Sequence, residues 1–272
     1  MRGGLRMAAK LGVALGAAVL LLPLVYGVLA SFRAEAELFA RPGALPSRIV
    51  LEHYRALFVE RGFLRPIVNS IVVSLGTTVL ALLFGAPCAY AIARLRFRGK
   101  RVLLSSILVI SMFPQIAIVS PLYLMLRALG LINTYPGLVL PYLTFAMPLS
   151  VWLLVGHFSA LPRWLEEAAL IDGASRWRAL SSVVLPVAFP GLATAAILTF
   201  IYAYNEFLFA LSFSLGPELQ TAPVAIALMR GRYQVPWGQV MAAAMVATLP
   251  VALLVLGFQR RIVKSFAAGG GR

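Results

Sequence analysis

Charge is scarce in this sequence. Only 12% of its 272 residues are charged, against about 25% in an ordinary soluble domain, while 61% are hydrophobic. So few ionised groups cannot cover a water-facing surface, and so much apolar content excludes a disordered chain. Cysteine is reduced to Cys88 alone, which excludes a disulfide framework and a cysteine zinc site. There are two histidines, His53 and His157, and the topology derived below puts them on opposite sides of a membrane, so they cannot share a metal or a proton. No phosphate loop is present: Gly99-Lys100 lacks the upstream glycine and the following hydroxyl, so no ATP is held by that device. No serine sits in a nucleophile elbow. These absences argue against an enzyme and against any cofactor bound by this chain.

What the chain does have is long uncharged stretches. Six of them reach the roughly 20 residues a membrane helix needs, giving expected spans at about 11–32, 67–93, 103–126, 137–156, 185–211 and 237–258. The first has a basic flank resembling a signal peptide, but its apolar core exceeds the usual h-region of about 7–15 residues, so it reads as a retained span. The fold class is therefore all-α, a polytopic membrane protein in one domain, 1–272. Orientation follows from the cations. Most of the 24 Lys and Arg gather at the N-terminus, in 94–101, in 157–182 and at the C-terminus, which puts both ends in the cytoplasm. Topology thereby accounts for much of the +15 formal charge, and no nucleic-acid partner is required. In the long outer segment, 51–58 has the pattern of a short amphipathic helix lying on the lipid surface.

The inner loop 157–182 carries the most specific signal. Leu161-Pro162-Arg163-Trp164-Leu165-Glu166-Glu167-Ala168-Ala169-Leu170-Ile171-Asp172-Gly173 reads as a short helix, with carboxylates near its positive end and Gly173 as a left-handed stop. Ser175 is an N-cap candidate for a second helix running toward Leu185-Pro186. From pattern alone, this elbow either docks into a groove on a partner or lies on the headgroups. A second polar feature, Asn205-Glu206, interrupts an apolar run beside Tyr202 and Tyr204. A carboxylate there is costly unless it faces a cavity or a partner. It either lines a solute path, with Gln115 beside the Pro114 kink as a further candidate, or makes a structural bond between helices or to Arg230 or Arg232. Asn69 reads as a helix-start or packing residue. The outer loop 216–236 is expected to be largely irregular, being rich in proline and glycine.

The spacing Glu167-Ala168-Ala169, three residues, Gly173, nine residues, Val183-Val184-Leu185-Pro186 resembles the cytoplasmic EAA loop of ABC-importer permeases, departing from the family pattern only in Val183 for isoleucine. Further similarity to carbohydrate-uptake permeases of the maltose and trehalose type lies in Asn69-Ser70, Ala89-Tyr90-Ala91-Ile92-Ala93-Arg94, Met112-Phe113-Pro114 and Asn205-Glu206-Phe207. Tyr204 departs from the usual tryptophan, and Ser265 from a glycine. The resemblance implies the six-span type I importer fold in the cytoplasmic membrane, importing a sugar such as maltose or trehalose. The partners it implies are a second permease in a heterodimer, two ATPase subunits carrying the ATP and Mg, and an extracytoplasmic sugar-binding protein. On that basis Glu166, Glu167, Ala168, Ala169, Asp172, Gly173, Leu185 and Pro186 are the ATPase-coupling residues, and Gln115, Tyr202, Tyr204, Asn205 and Glu206 the substrate-path candidates. Gln220, Thr221, Arg230, Gly231, Arg232, Tyr233 and Gln234 would meet the binding protein; the alternative is a plain connecting loop. Permeases for polyamines, amino acids or phosphate share the loop and are the alternative within the family. A stand-alone secondary transporter would need inverted repeats or an ion-coupling network, and neither is found.

Overall fold

The structure is a computed structural model that describes residues 2–40, 43, 45–229 and 235–269, with side chains described from 10 to 259 of these and at Met7. The helices in chain order are α1 (Arg2–Ser31), α2 (Glu35–Ala40), α3 (Glu52–Arg55), α4 (Leu64–Arg94), α5 (Lys100–Met112), α6 (Gln115–Ala128), α7 (Tyr135–Ala160), α8 (Trp164–Ile171), α9 (Arg176–Ala179), α10 (Leu185–Val187), α11 (Phe189–Tyr204), α12 (Leu208–Phe213), α13 (Ala222–Ala227) and α14 (Trp237–Gly269). Single π-helical turns follow α3 (Ala56–Glu60) and α9 (Leu180–Val184). No strand occurs among the described residues.

Four helical stretches, Lys10–Ser31, Leu64–Arg94, Tyr135–Ala160 and Trp237–Gln259, are long and apolar enough to cross a membrane. Two more spans are broken: Lys100–Met112 with Gln115–Ala128 bends by 93°, and Arg176–Val187 with Phe189–Tyr204 by 80°. Counting each bent pair as one span gives the six read from the sequence, but continuous helices at 103–126 and 185–211 are not what the chain builds. Proline explains both bends. Pro114 supplies no N–H and pushes Phe113 out of the helical region, to ψ 137°. Pro186 and Pro190 flank the second bend, at Ala188. The apolar run 185–211 is further divided, since α11 ends at Tyr204 and α12 starts at Leu208. Proline alone does not dictate a break: Pro87, Pro141 and Pro148 sit inside α4 and α7, which run through.

The chain forms two compact units. One holds residues up to Leu64 together with 225–249. In it α1 exposes Val13, Leu15 and Leu20, as a lipid-facing helix does. The segment after α1 is held by the Ser31 and Tyr54 hydroxyls at 2.7 Å and by His53 Nε2 against the Arg33 carbonyl at 2.8 Å. The Glu35 carboxylate accepts the first α14 amides, Trp237 N at 2.8 Å and Gly238 N at 3.0 Å, which places a negative charge at that helix's positive end. The short helix expected at 51–58 is present as α3 and its π turn.

The other unit holds residues 65–224 with the chain from Pro250 on. Here α7 packs on α5 and α11, and α12 packs on α6 and α7. One apolar cluster joins Val73, Leu138, Tyr142, Phe145, Phe209 and Phe213; a second joins Ala89, Tyr90, Ile92, Leu154, Phe158, Leu180 and Val184. Along α4, Ser74 and Thr78 donate to carbonyls four residues back, which satisfies their hydroxyls in an apolar setting.

Candidate functional site

Three polar features stand out in the unit built on α4, α7 and α11. The first is the elbow. Helix α8 closes with Gly173 N donating to the Leu170 carbonyl at 3.1 Å and Ala174 N to the Ala169 carbonyl at 3.0 Å. That paired pattern is the Schellman ending, and it requires Gly173 at φ +83°. Ser175 then caps the next helix, its hydroxyl accepting from Arg178 N at 3.3 Å. The resulting surface presents Trp164, Glu167, Ala168, Asp172 and Gly173, with Ile171 85% exposed and Trp177 beside it; Pro186 is exposed further on, and Ala169 and Leu185 are half-buried.

Glu166 does not share that surface. It is 8% exposed and turned inward, where Tyr90 donates to its Oε1 at 2.5 Å and Arg94 Nε lies 3.8 Å from its Oε2. Arg94 also donates to the Leu161 carbonyl at 2.8 Å, across the joint between α7 and α8. The sequence reading gave Tyr90 and Arg94 no role, although their i, i+4 spacing puts both on one face of a helix.

The second feature is a cleft where the broken helices meet. Gln115, Ile201, Tyr202, Asn205, Glu206, Phe207 and Leu208 line an open space of about 380 Å³. Gln115 follows the Pro114 break, and 205–207 separate α11 from α12, so irregular backbone from two spans borders one cavity. Such backbone is tolerated at membrane depth where it lines a cavity. Gln115 Nε2 donates to the Tyr202 hydroxyl at 2.7 Å. Glu206, 6% exposed, accepts from Phe209 N at 2.8 Å and Ala210 N at 3.1 Å, so its charge caps α12. Asn205 is exposed and gives its amide back to the Ile201 carbonyl at 2.8 Å. Tyr204 lies elsewhere, buried and stacked on Phe200 with centroids 5.7 Å apart. Four of the five expected path residues thus converge and Tyr204 does not. Glu206 is held by local amides; the bond expected to Arg230 or Arg232 lies outside the described residues. The cleft offers a hydroxyl, two amides and a carboxylate edge beside aromatic and apolar walls, which is the chemistry that recognises a polyol. Among the described residues no group of three or more His, Cys, Asp or Glu could hold a metal.

The third feature is the segment after α12. Asn69 Nδ2 donates to the carbonyls of Glu218 (3.0 Å) and Gln220 (2.9 Å), Tyr135 donates to Asn69 Oδ1 (2.8 Å), and Ala222 N donates to the Ser70 hydroxyl (2.8 Å). Asn133, at φ +58°, accepts from Leu215 N and Gly216 N and donates to the Glu218 carboxylate, holding that carboxyl below the usual range. The backbone over 214–221 is irregular, as expected, but tied down by these bonds, and it continues into α13. Thr221 is 2% exposed, so its hydroxyl does not face a partner here; Gln220 is half-buried. Arg230, Gly231, Arg232, Tyr233 and Gln234 lie outside the described residues. Asn69 is a packing residue, as read from the sequence.

Comparison with known proteins gives a consistent picture. The model of the family described as "Binding-protein-dependent transport system inner membrane component" matches residues 81–267. The chain is 47% identical over 227 residues to the trehalose transport system permease protein SugB of Mycobacterium tuberculosis, covering 83% of each chain. It is 38% identical over 262 residues to the trehalose/maltose transport system permease protein MalG of Thermococcus litoralis, covering 95% of this chain and 94% of that one. Among solved structures, a bacterial ABC transporter involved in import of the acidic polysaccharide alginate superposes with a TM-score of 0.77 at 25% identity, over 94% of this chain and 95% of that one.

Proposed function

The chain belongs to the family of binding-protein-dependent inner membrane components, as a multi-pass sugar ABC transporter permease, and from that premise we propose that it passes a disaccharide or oligosaccharide, such as trehalose or maltose, through a pathway gated by ATP hydrolysis on separate subunits. Its partners would be a second permease, two ATPase subunits holding the ATP and Mg, and an extracytoplasmic binding protein. Both termini would be cytoplasmic, on the side of the basic 94–101 turn.

The observation that carries the proposal is the elbow. A helix ended by a glycine-dependent Schellman turn holds Trp164, Glu167, Ala168 and Ile171 outward on a rigid base. An apolar helical face with one carboxylate at its positive end suits a groove on a soluble partner. Closing two ATPase subunits would move α8, and movement of α8 would pass to the π turn it packs on, whose Leu180 and Val184 share the second apolar cluster with α7 and α11. The cleft at Gln115, Tyr202, Asn205 and Glu206 would give the sugar transient hydrogen bonds along its path. The sidedness argument puts the 214–222 segment opposite the elbow, where a binding protein delivers its sugar.

The test is reconstitution. Capture of the tagged chain should bring down a second permease, an ATPase and a binding protein, and the captured complex in liposomes should take up that protein's sugar only with ATP inside. ATP-independent uptake, or capture without an ATPase, would refute the proposal.

A further inference from the structure

Helix α4 is fastened at both ends to the two segments that the proposed function uses for partners. Near its C-terminal end, Tyr90 and Arg94 hold Glu166 of α8, and Arg94 also holds the Leu161 carbonyl. Near its N-terminal end, Asn69 holds the carbonyls of Glu218 and Gln220, and Ser70 accepts the Ala222 amide. The two sets lie about 30 Å apart along the axis, from 1.5 Å of rise per residue between Ser70 and Tyr90. Neither the elbow nor the 214–222 segment adjoins α4 in sequence: the elbow is continuous with α7 and α11, the outer segment with α12 and α13. Their bonds to α4 are therefore cross-ties, not consequences of connectivity.

The chemistry of the inner tie is unusual for a purely structural contact. Tyr90 is buried, Arg94 has a side chain 5% exposed, and Arg94 with Glu166 is the one ion pair among the described residues. A buried pair gives little net stability compared with apolar side chains of similar size, but it fixes one arrangement of the groups it joins. Glu166 gives up a solvated position on α8, next to exposed Glu167, to reach it.

We propose that α4 is the mechanical tie between the outer docking segment and the ATPase-coupling elbow, with Tyr90, Arg94 and Glu166 as positioning residues at one end and Asn69 and Ser70 at the other. This rests on the proposed function, since it assigns to α4 the passage of the binding-protein signal to the ATPases. Docking at 214–222 shifts α4 through Asn69, and α4 shifts α8 through the Glu166 carboxylate.

The experiment uses the whole complex in liposomes and reads the stimulation of ATP hydrolysis by sugar-loaded binding protein. The triple variant Tyr90→Phe/Arg94→Met/Glu166→Met removes the inner tie without leaving a buried charge unpaired. Asn69→Leu with Ser70→Ala removes the outer tie at similar volume. Each should lower the stimulation about fivefold or more, the size of an ordinary coupling between sites. Combined, they should do no worse than the stronger one alone, because both cut the same route. Thermal midpoint and complex yield serve as the structural readout. Tyr90→Phe alone, which leaves Glu166 Oε1 without that donor, should already lower stimulation in complexes assembled at wild-type yield, with at most a modest fall in thermal midpoint. Wild-type stimulation by this variant would overturn the tie. Normal stimulation in an assembled triple variant overturns the tie, as does a combined loss equal to the product of the two, since distant independent sites act additively in free energy. If the wild-type complex shows no stimulation at all, the transport reading itself fails.

Discussion

Replacing Glu206 by glutamine separates a cleft residue that holds the fold from one that only lines a path. In the structure its two carboxylate oxygens each take one amide, Phe209 N at 2.8 Å and Ala210 N at 3.1 Å, at the start of α12. Glutamine keeps one acceptor oxygen and presents an NH₂ where the second stood. One buried N–H is then left facing another donor. Leaving a buried donor unmet costs about 1–3 kcal/mol, and Glu206→Ala, which abandons both amides, should cost roughly twice that. Since α12 contributes Phe209 and Phe213 to the core shared with Tyr142 and Phe145, the loss should reach the whole unit. Asn205→Ala is the matched control. Its side chain is exposed and bonds only to its own helix, so its stability effect should stay within about 0.5 kcal/mol. The assay is thermal unfolding in detergent, followed by a thiol-reactive dye on Cys88, the only cysteine of the chain, which is half-buried. The expected order of midpoints is wild type and Asn205→Ala together, then Glu206→Gln, then Glu206→Ala. An unchanged midpoint for Glu206→Gln would refute the capping role. Uptake measured in parallel tests the path: Asn205→Ala should weaken transport without weakening the protein, and wild-type uptake by both Asn205→Ala and Glu206→Gln would remove the cleft from the sugar route.

The elbow makes a graded prediction. Nothing lies within 4 Å of a Cβ built on Gly173, so the cost of substitution is purely backbone, at φ +83°. Asparagine should be tolerated best, alanine less well and valine worst, with about 1–2 kcal/mol at stake for an ordinary residue in the left-handed region; ATPase co-purification with the three variants checks the order. Where α4 passes α7, a Cβ on Gly85 would stand 2.7 Å from the Ser150 hydroxyl oxygen. Gly85→Ala should therefore lower the thermal midpoint, by about 1–3 kcal/mol of overpacking, and Ser150→Gly in the same chain should restore part of it; purely additive losses would show that the two do not touch. Finally, the Glu218 carboxyl is held below its ordinary value of 4.5 first by the Asn133 amide. A depressed carboxyl contributes stability that is present above the unfolded value and is lost as pH falls through the folded one. Amide protection at Leu215 and Gly216 should accordingly weaken only below about pH 4.5, and Asn133→Ala should lower it at every pH.

The sequence by itself determined the class and most of the site chemistry. Scarce charge, six uncharged stretches and the cation distribution gave a membrane bundle, because a bilayer tolerates little else. The elbow could be read to the residue, since Gly173 and Ser175 act through their own backbone and nearest turns, and local rules govern them. The four convergent cleft residues were also legible, because a carboxylate in an apolar run is conspicuous. What tertiary structure decided are features that depend on distant partners. Whether a proline breaks a helix was one: Pro114 does and Pro148 does not, although both are prolines in apolar runs. The burial of Glu166 was another. Nothing in Glu166-Glu167 distinguishes the two carboxylates, and only the end of α4, some 70 residues earlier, supplies the hydroxyl and guanidinium that turn one of them inward. Tyr204 sat within the polar stretch and looked like its neighbours, but the packing around α11 buries it away from the cleft. Local sequence sets which conformations each turn allows; contacts between segments far apart in the chain select among them, and those contacts exist only once the helices have packed.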